Sequence, residues 1–150
     1  MSNQQAPLIV VGVDGSDCSK AALTWAITQA RLTGANVEAV SAWRDPAMYG
    51  YGMGFAPVPD IGESMAALAQ KTLDRAVDEV SAALQQPVQV TTRVEEGHPA
   101  QILPRAAAGA QMLVVGSRGH GAFAGMLLGS VSQHCVQHPP CPVVVIPPTE

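Results

Sequence analysis

The sequence predicts an α/β protein in which helices cover both faces of a doubly wound sheet of five parallel strands. Three observations lead to this prediction. Short apolar runs alternate with helical patterns along the whole chain, which is typical of parallel strands joined by crossover helices. No connection has the turn chemistry of an antiparallel hairpin. The length of 150 residues suits one such domain and is short for two. We therefore expect a single three-layer domain over residues 1–150, with right-handed crossovers.

The first third of the chain contains two strand patterns around one clearly marked helix. The β-branched run at residues 8–13 is typical of a buried strand. Ser16 can cap a helix over residues 17–33, and Gly34 can end it. A second strand is predicted at residues 37–42, where polar residues interrupt the apolar run.

A stretch rich in glycine and proline interrupts the alternation at residues 44–62. It has no helical or strand period and is long for a connection inside a compact domain. We expect a mobile loop here. Two roles stay open for it: ordering over a ligand or partner, or a freely varying insertion.

The clearest helix pattern follows this loop. Asp60 and Glu63 form a capping-box pattern at its start, and it is predicted to end near Gln86. The apolar side predicted to face the core comprises Met65, Leu68, Leu73, Ala76, Val77, Val80 and Leu84.

The second half of the chain continues the alternation. Strands are predicted at residues 88–94, 112–115 and 143–146, and helices at residues 99–108 and 130–137. Pro99 suits the first turn of its helix. Pro104 lies inside the same helix and should kink it or shift its start.

Composition excludes several classes of protein. The net charge is -4 and charged residues make up only 13%, so we expect no partnership with nucleic acid. No apolar run reaches the ~18 residues of a membrane-spanning helix, and we expect no membrane association. The N-terminal segment lacks the cationic region of a secretory signal. Three cysteines are an odd number and do not indicate a disulfide framework, so we expect a reducing cytoplasm.

Two loops are the candidates for chemistry. In doubly wound sheets, ligands bind beyond the carboxyl ends of the strands, where the strand order reverses. Residues 12–16 follow the first strand, and the glycine-rich residues 116–130 follow the fourth. Glycine backbone and the start of the next helix favour an anion such as phosphate. Arg118 adds a positive charge, and Ser130 and Ser132 add hydroxyl groups. The alternative is a flexible surface loop whose serines only cap a helix.

Several nucleotide and enzyme motifs are missing. The sequence contains no Walker A GK[ST] and no nucleophile-elbow GxSxG, and GVDGS after the first strand is not a dinucleotide fingerprint. An adenylating ATP pyrophosphatase would carry an SGGxDS-like loop where this chain has DGSDCS. We therefore assign no catalytic residue.

The pattern G-x2-G-x9-G-[ST] is present at Gly116, Gly119, Gly129 and Ser130. With the opening VGVDGS and the ending HPPCPVVVIP, it resembles the universal stress protein family of the ATP-binding type, over residues 8–146. The resemblance implies a Rossmann-like, adenine nucleotide α hydrolase-like fold with strand order 3-2-1-4-5. It also implies a stress-response regulator that binds ATP, with little or no hydrolysis. A cyclic AMP-binding member, a weak ATPase, or a structural dimer without nucleotide are the alternatives.

The resemblance also implies roles for individual positions. Asp14 matches the acidic residue that contacts the nucleoside, although an Asp at this place can also cap the turn or the next helix. Ala42 matches the residue that pairs with adenine through its backbone. The adenine pocket and ribose edge match Gly12, Val13, Val115 and Gly116. The phosphate clamp matches Gly119, Gly129, Ser130, Val131 and Ser132, with Ser117 and Arg118 as further candidates between the motif glycines.

Two further features follow from the same resemblance. Mg²⁺ or Mn²⁺ would accompany ATP, held mainly by phosphate oxygens rather than by a protein metal site. A homodimer would form through the last strand, residues 143–146.

A separate cluster near the C-terminus has metal-ligand residue types. It reads HC-x2-H-x2-C and comprises His134, Cys135, His138 and Cys141. Zinc favours such ligands, but prolines after His138 separate Cys141 from the helix. We expect no metal site, and instead a helix end with a histidine near its negative pole, followed by a buried cysteine. A disulfide between Cys135 and Cys141 stays open as an alternative.

Overall fold

A sheet of five parallel strands forms the centre of the computed structural model, which describes residues 6–44, 61–85, 89–119 and 128–148. The strands are β1 (Leu8–Gly12), β2 (Asn36–Trp43), β3 (Val90–Glu96), β4 (Met112–Gly116) and β5 (Val143–Ile146). The helices of the described ranges are α1 (Asp17–Thr33), α2 (Ile61–Leu84), α3 (Pro99–Ala106) and α4 (Ser130–Gln137).

The strand order is β3-β2-β1-β4-β5, and every neighbouring pair is parallel. The predicted fold class and strand order are therefore confirmed. The chain leaves β1 toward one edge of the sheet and later returns to the other side of β1 as β4. The strand order thus reverses between β1 and β4, where doubly wound sheets open a crevice for ligands.

Alternation along the strands produces the three layers. Successive residues of a strand point to opposite faces. Ile9 and Val11 pack with α1 and α2 in one core, whereas Val10 packs with α3 and α4 in the other. The central strands are covered on both sides, which explains why β1 and β4 are continuous apolar runs.

Helix α1 has the bounds and caps that the sequence predicts. The Ser16 hydroxyl oxygen accepts a hydrogen bond from the Ser19 N–H at 3.2 Å. Gly34 ends the helix in the left-handed region with φ +72°. Both residues satisfy backbone groups that a helix end leaves without intrahelical partners.

Helix α2 packs most of its predicted core face against the core but exposes one residue of it. Leu73, Ala76 and Val80 are buried as predicted, but Leu68 is 56% exposed, so its assignment to the core face was wrong. Leu68 precedes Leu73 by five residues, which turns it about 140° around the helix from that side chain. The predicted cap Asp60 and the predicted end Gln86 lie outside the described residues, as do residues 45–60 of the predicted mobile loop.

The remaining bounds differ from the predictions by one to two residues. Helix α3 starts at Pro99, continues through Pro104 and ends at Ala106 rather than Ala108. Strand β3 runs to Glu96, two residues beyond its predicted end. No described helix has the length and apolar character needed to cross a membrane.

Candidate functional site

A cavity of about 480 Å³ opens at the carboxyl ends of β2, β1 and β4. Twelve of the thirteen residues predicted to bind nucleotide line it. They are Gly12, Val13, Asp14, Ala42, Val115, Gly116, Arg118, Gly119, Gly129, Ser130, Val131 and Ser132. A volume of this size is within the range of small-ligand sites.

Ser117, the thirteenth residue, is not in the cavity wall. It is buried, and its carbonyl oxygen accepts hydrogen bonds from the Gly129 N–H at 2.6 Å and from the Ser132 hydroxyl at 3.0 Å. Its own N–H donates to the Ile146 carbonyl at 2.8 Å. Ser117 therefore connects the end of β4 to the start of α4 and to β5, and it supports the cavity wall without being part of it.

The loop after β1 folds around Asp14. Its Oδ1 atom accepts a hydrogen bond from the Ser16 N–H at 2.9 Å, and its own N–H donates to the Ser19 hydroxyl at 3.3 Å. Gly15 between them has φ +85°, a conformation that a side chain would disfavour. Asp14 thus has the turn-capping role considered in the sequence analysis and also lines the cavity.

Gly119 and Gly129 both line the cavity, and Gly119 lies directly beside Asp14. A Cβ atom at Gly119 would lie 2.5 Å from Asp14 Oδ2, so the missing side chain makes room for the carboxylate. Gly129 is the N-cap residue of α4, with φ -72°, and no described side chain caps this helix. The first N–H groups of α4 are therefore left for solvent or a ligand.

Two other glycines in the wall have a packing role. A Cβ atom at Gly12 would lie 2.7 Å from Leu103 Cδ1, and one at Gly116 would lie 2.8 Å from Cys18 Sγ. Both glycines end strands, where they let a helix side chain approach the sheet. The close packing of α1 and α3 around the cavity depends on them.

Among the described residues of the cavity wall, Arg118 is the one with a positively charged side chain. Its Nε atom is buried and has no hydrogen-bond partner among the described residues. An unsatisfied buried donor of a charged group is unfavourable by about 1–3 kcal/mol or more. A ligand with an anionic oxygen near this guanidinium would offset that penalty.

Sequence reasoning missed four cavity residues: Ser19, Val40, Pro99 and Leu103. Some signals for them were present. Val40 is two residues before Ala42 and shares its face of the strand. Pro99 and Leu103 are four residues apart on one helix face. Nothing in the sequence indicated which strand that face would meet.

The histidine and cysteine cluster does not assemble a metal site. The His134 and His138 rings lie 4.9 Å apart between centroids, while Cys135 is fully buried. In the described ranges, no three His, Cys, Asp or Glu side chains are grouped to hold an ion. Cys135 and Cys141 are both free thiols, so the alternative disulfide is not formed. Burial raises the pKa of Cys135 to about 11.

Comparison with known proteins places this geometry in context. The sequence model of the universal stress protein family matches residues 8–147. A universal stress protein of Mycolicibacterium smegmatis is 36% identical over 144 residues, which cover 93% of this chain and 45% of that protein. The chain thus spans about half the length of the curated relatives that it matches.

Solved structures share the fold. A universal stress protein in complex with cAMP has a TM-score of 0.64 and 27% identity, with 93% of this chain and 95% of that one covered. A universal stress protein from Archaeoglobus fulgidus in complex with dAMP also has a TM-score of 0.64. It is 22% identical, and the match covers 95% of this chain and 98% of that chain.

Proposed function

Because the chain belongs to the universal stress protein family, we propose that it binds ATP in this cavity and regulates a stress response by passing nucleotide occupancy to partners. The residues on one side of the cavity are the observation that supports this proposal. Glycine backbone, the uncapped start of α4 and the Arg118 guanidinium meet there. Such a combination favours phosphate.

The other side of the cavity supports recognition of a base. Val40 and Ala42 at the end of β2 belong to one apolar cluster with Leu103 of α3, and all three line the cavity. An apolar slot with a few polar groups is the usual environment for a planar ring system. Asp14 lies between this slot and the phosphate side, because β1 separates β2 from β4. A carboxylate at this place can accept hydrogen bonds from ribose hydroxyl groups.

Cyclic AMP is a second candidate ligand. The solved relative at 27% identity was determined with cAMP, and a more distant one with dAMP. Both ligands share the adenine of ATP, so base recognition supports either candidate. Phosphate contacts distinguish ATP from cyclic AMP, because ATP has two more phosphates that can reach the start of α4.

Our proposal includes a divalent ion and little or no hydrolysis. Mg²⁺ or Mn²⁺ would be held mainly by the phosphate oxygens of ATP, and Asp14 is the carboxylate residue of the described wall. Phosphoryl transfer also needs a residue that orients water, and we assign no residue to that role. A weak ATPase is the alternative, and phosphate release over hours distinguishes the two.

We also propose a homodimer in the cytoplasm. Strand β5 is an edge of the described sheet, paired on one side with β4 and half-buried along its length. This supports pairing of residues 143–146 with a second copy. We propose the cytoplasm because the sequence has three cysteines, an odd number that suits a reducing environment.

Calorimetric titration of the Arg118→Met protein tests the ATP proposal. We expect ATP to bind the variant roughly 10- to 100-fold more weakly, because a charge-assisted hydrogen bond contributes about 1.5–3 kcal/mol. Adenosine should bind both proteins equally. Arg105→Met is the matched control, since Arg105 is exposed on α3 outside the cavity wall. Wild-type protein that binds neither ATP nor cAMP at millimolar concentration would contradict the proposal, and competition between the two ligands ranks them.

A further inference from the structure

Ser19 is a cavity residue to which the nucleotide motif assigns no role. It lies in the first turn of α1 and is 5% exposed. Its hydroxyl oxygen accepts the Asp14 N–H at 3.3 Å, and the hydroxyl donates to the Ser16 carbonyl at 2.9 Å. Both hydrogen-bonding functions of this buried group are therefore used inside the loop after β1.

These bonds are part of a network that joins Ser19 to Ser16 and Asp14. The Ser19 N–H donates to the Ser16 hydroxyl at 3.2 Å, and the Ser16 N–H donates to Asp14 Oδ1 at 2.9 Å. The network thus holds Asp14 at two points, its backbone N–H and one carboxylate oxygen. Removing the Ser19 hydroxyl would leave the Asp14 N–H without this acceptor. The backbone that carries the carboxylate would then be held less firmly.

The position of the Asp14 carboxylate matters for the opposite loop. Its Oδ2 atom occupies the space beside Gly119, where a Cβ atom would approach it to 2.5 Å. A small rotation of the carboxylate therefore changes its contact with Gly119. Functional groups need placement within about 0.5 Å to act on a ligand.

We propose that Ser19 is a positioning residue that fixes the Asp14 carboxylate against Gly119, so that the carboxylate meets a bound nucleotide in a single orientation. The inference rests on the proposed nucleotide binding. It assigns to Ser19 an effect on affinity that passes through Asp14 and not through contact with the ligand.

A double-mutant cycle separates this role from a general contribution to helix stability. Ser19→Ala should weaken ATP binding about fivefold, the loss expected when one hydrogen bond no longer holds its group. In an Asp14→Ala background the same change should alter affinity less than about twofold, because the group that it positions is gone. The titrations extend to millimolar ATP, so that weak binding by the Asp14→Ala background is still measured.

Thr24→Ala is the matched control. The Thr24 hydroxyl donates to the Lys20 carbonyl at 3.0 Å in the same helix, outside the cavity wall. It should leave ATP affinity within about twofold of wild type. Circular dichroism checks that each variant is folded, and Ser19→Cys, which keeps the size and loses most of the hydrogen bonding, replaces Ser19→Ala if needed.

The outcomes are distinct. A loss of affinity with Ser19→Ala that disappears in the Asp14 background supports the positioning role. An unchanged affinity, or an equal loss in both backgrounds, overturns it while nucleotide binding by the wild type stands. A wild-type protein without measurable nucleotide binding overturns the proposed function, and this inference with it.

Discussion

Gly119 and Gly129 belong to one sequence motif but have different structural reasons to be glycine. Gly119 faces the Asp14 carboxylate so closely that a methyl group would displace it. A methyl group at Gly129 would have the Ser117 carbonyl oxygen as its nearest neighbour, at 3.5 Å, and the backbone there is extended. Among the described residues, packing therefore leaves room for a side chain at position 129, and we infer that a ligand is what favours glycine there.

Alanine substitutions separate these two reasons. Gly129→Ala should leave the free energy of unfolding within about 0.5 kcal/mol of wild type and still weaken ATP binding, because the new methyl group lies at the start of α4. Gly119→Ala should lower both stability and affinity, by about 1 kcal/mol in stability as the carboxylate leaves Ser16. Urea unfolding and titration measure the two quantities.

A contrary result is easy to recognise. If Gly129→Ala is folded and binds ATP as tightly as wild type, no ligand approaches this glycine closely. If Gly119→Ala is as stable as wild type, the carboxylate has room to move and the contact with Gly119 does not constrain it.

The cavity residues that belong to the glycine motif could be predicted from the sequence, whereas their neighbours in the cavity wall could not. Glycine spacing and strand ends are local features, so the sequence indicated both loops of the cavity. Ser19 and Leu103 reach the cavity only because α1 and α3 pack on opposite faces of the sheet. Burial also changed one role, since Ser117 supports the loop through its carbonyl instead of lining the cavity.

At the scale of elements, helix α3 positions one side of the cavity and depends on an unusual cap. The His98 Nδ1 atom accepts a hydrogen bond from the Ala100 N–H at 3.0 Å, directly before the cavity residue Pro99. This acceptor exists only in the neutral ring. Burial, with Arg44 and His134 nearby, lowers the pKa of His98 from its ordinary value of 6.5.

The lowered pKa gives a direction to the pH dependence. The unfolded chain takes up the proton near pH 6.5 and the folded chain only at lower pH, so stability falls as the pH drops below about 6.5. His98→Asn keeps a capping side chain without titrating, and its melting temperature should decline less over this window. His98→Ala should melt about 2–4 °C lower at pH 7.5, since a lost cap amounts to about 1 kcal/mol.

Thermal melts of the three proteins between pH 5 and 8 test this. The assignment fails if His98→Asn and wild type lose stability in parallel below pH 6.5. The sequence did not reveal this cap, because histidine is not among the residues that usually precede a helix.

At the scale of the whole molecule, the free edge of β5 is the feature that an assembly could use. The Leu113 N–H donates to the Pro142 carbonyl, and the Ser117 N–H donates to the Ile146 carbonyl. In a parallel ladder, alternate residues bond to the same neighbour. Val144 therefore bonds to β4, and the backbone groups of Val143 and Val145 point away from the sheet.

This alternation suggests a variant that blocks pairing and spares the sheet. Val145→Pro removes an outward N–H, which an edge strand tolerates. It should convert a dimer to a monomer, while Val145→Ala, which keeps the N–H, should stay dimeric. Light scattering at micromolar concentration measures both. A monomeric wild type, or a dimeric Val145→Pro protein, would refute dimerisation through this strand.

Most of the overall fold could be predicted because its signals are periodic. Buried strands and α1 with its caps were confirmed, and so was the strand order that the family resemblance implied. The ends of α3 and β3 were less accurate, since a helix end or strand end depends on local packing. Leu68 shows a limit of patterns, because an apolar residue on the flank of a helix need not be buried.

Native mass spectrometry of freshly purified protein shows directly whether this cavity holds an adenine nucleotide. Acid release followed by chromatography identifies any bound molecule. We predict one adenine nucleotide per chain, retained or restored by incubation with ATP and Mg²⁺, and a lower occupancy in the Arg118→Met protein. A folded protein that carries no nucleotide and takes up neither ATP nor cAMP would contradict the account.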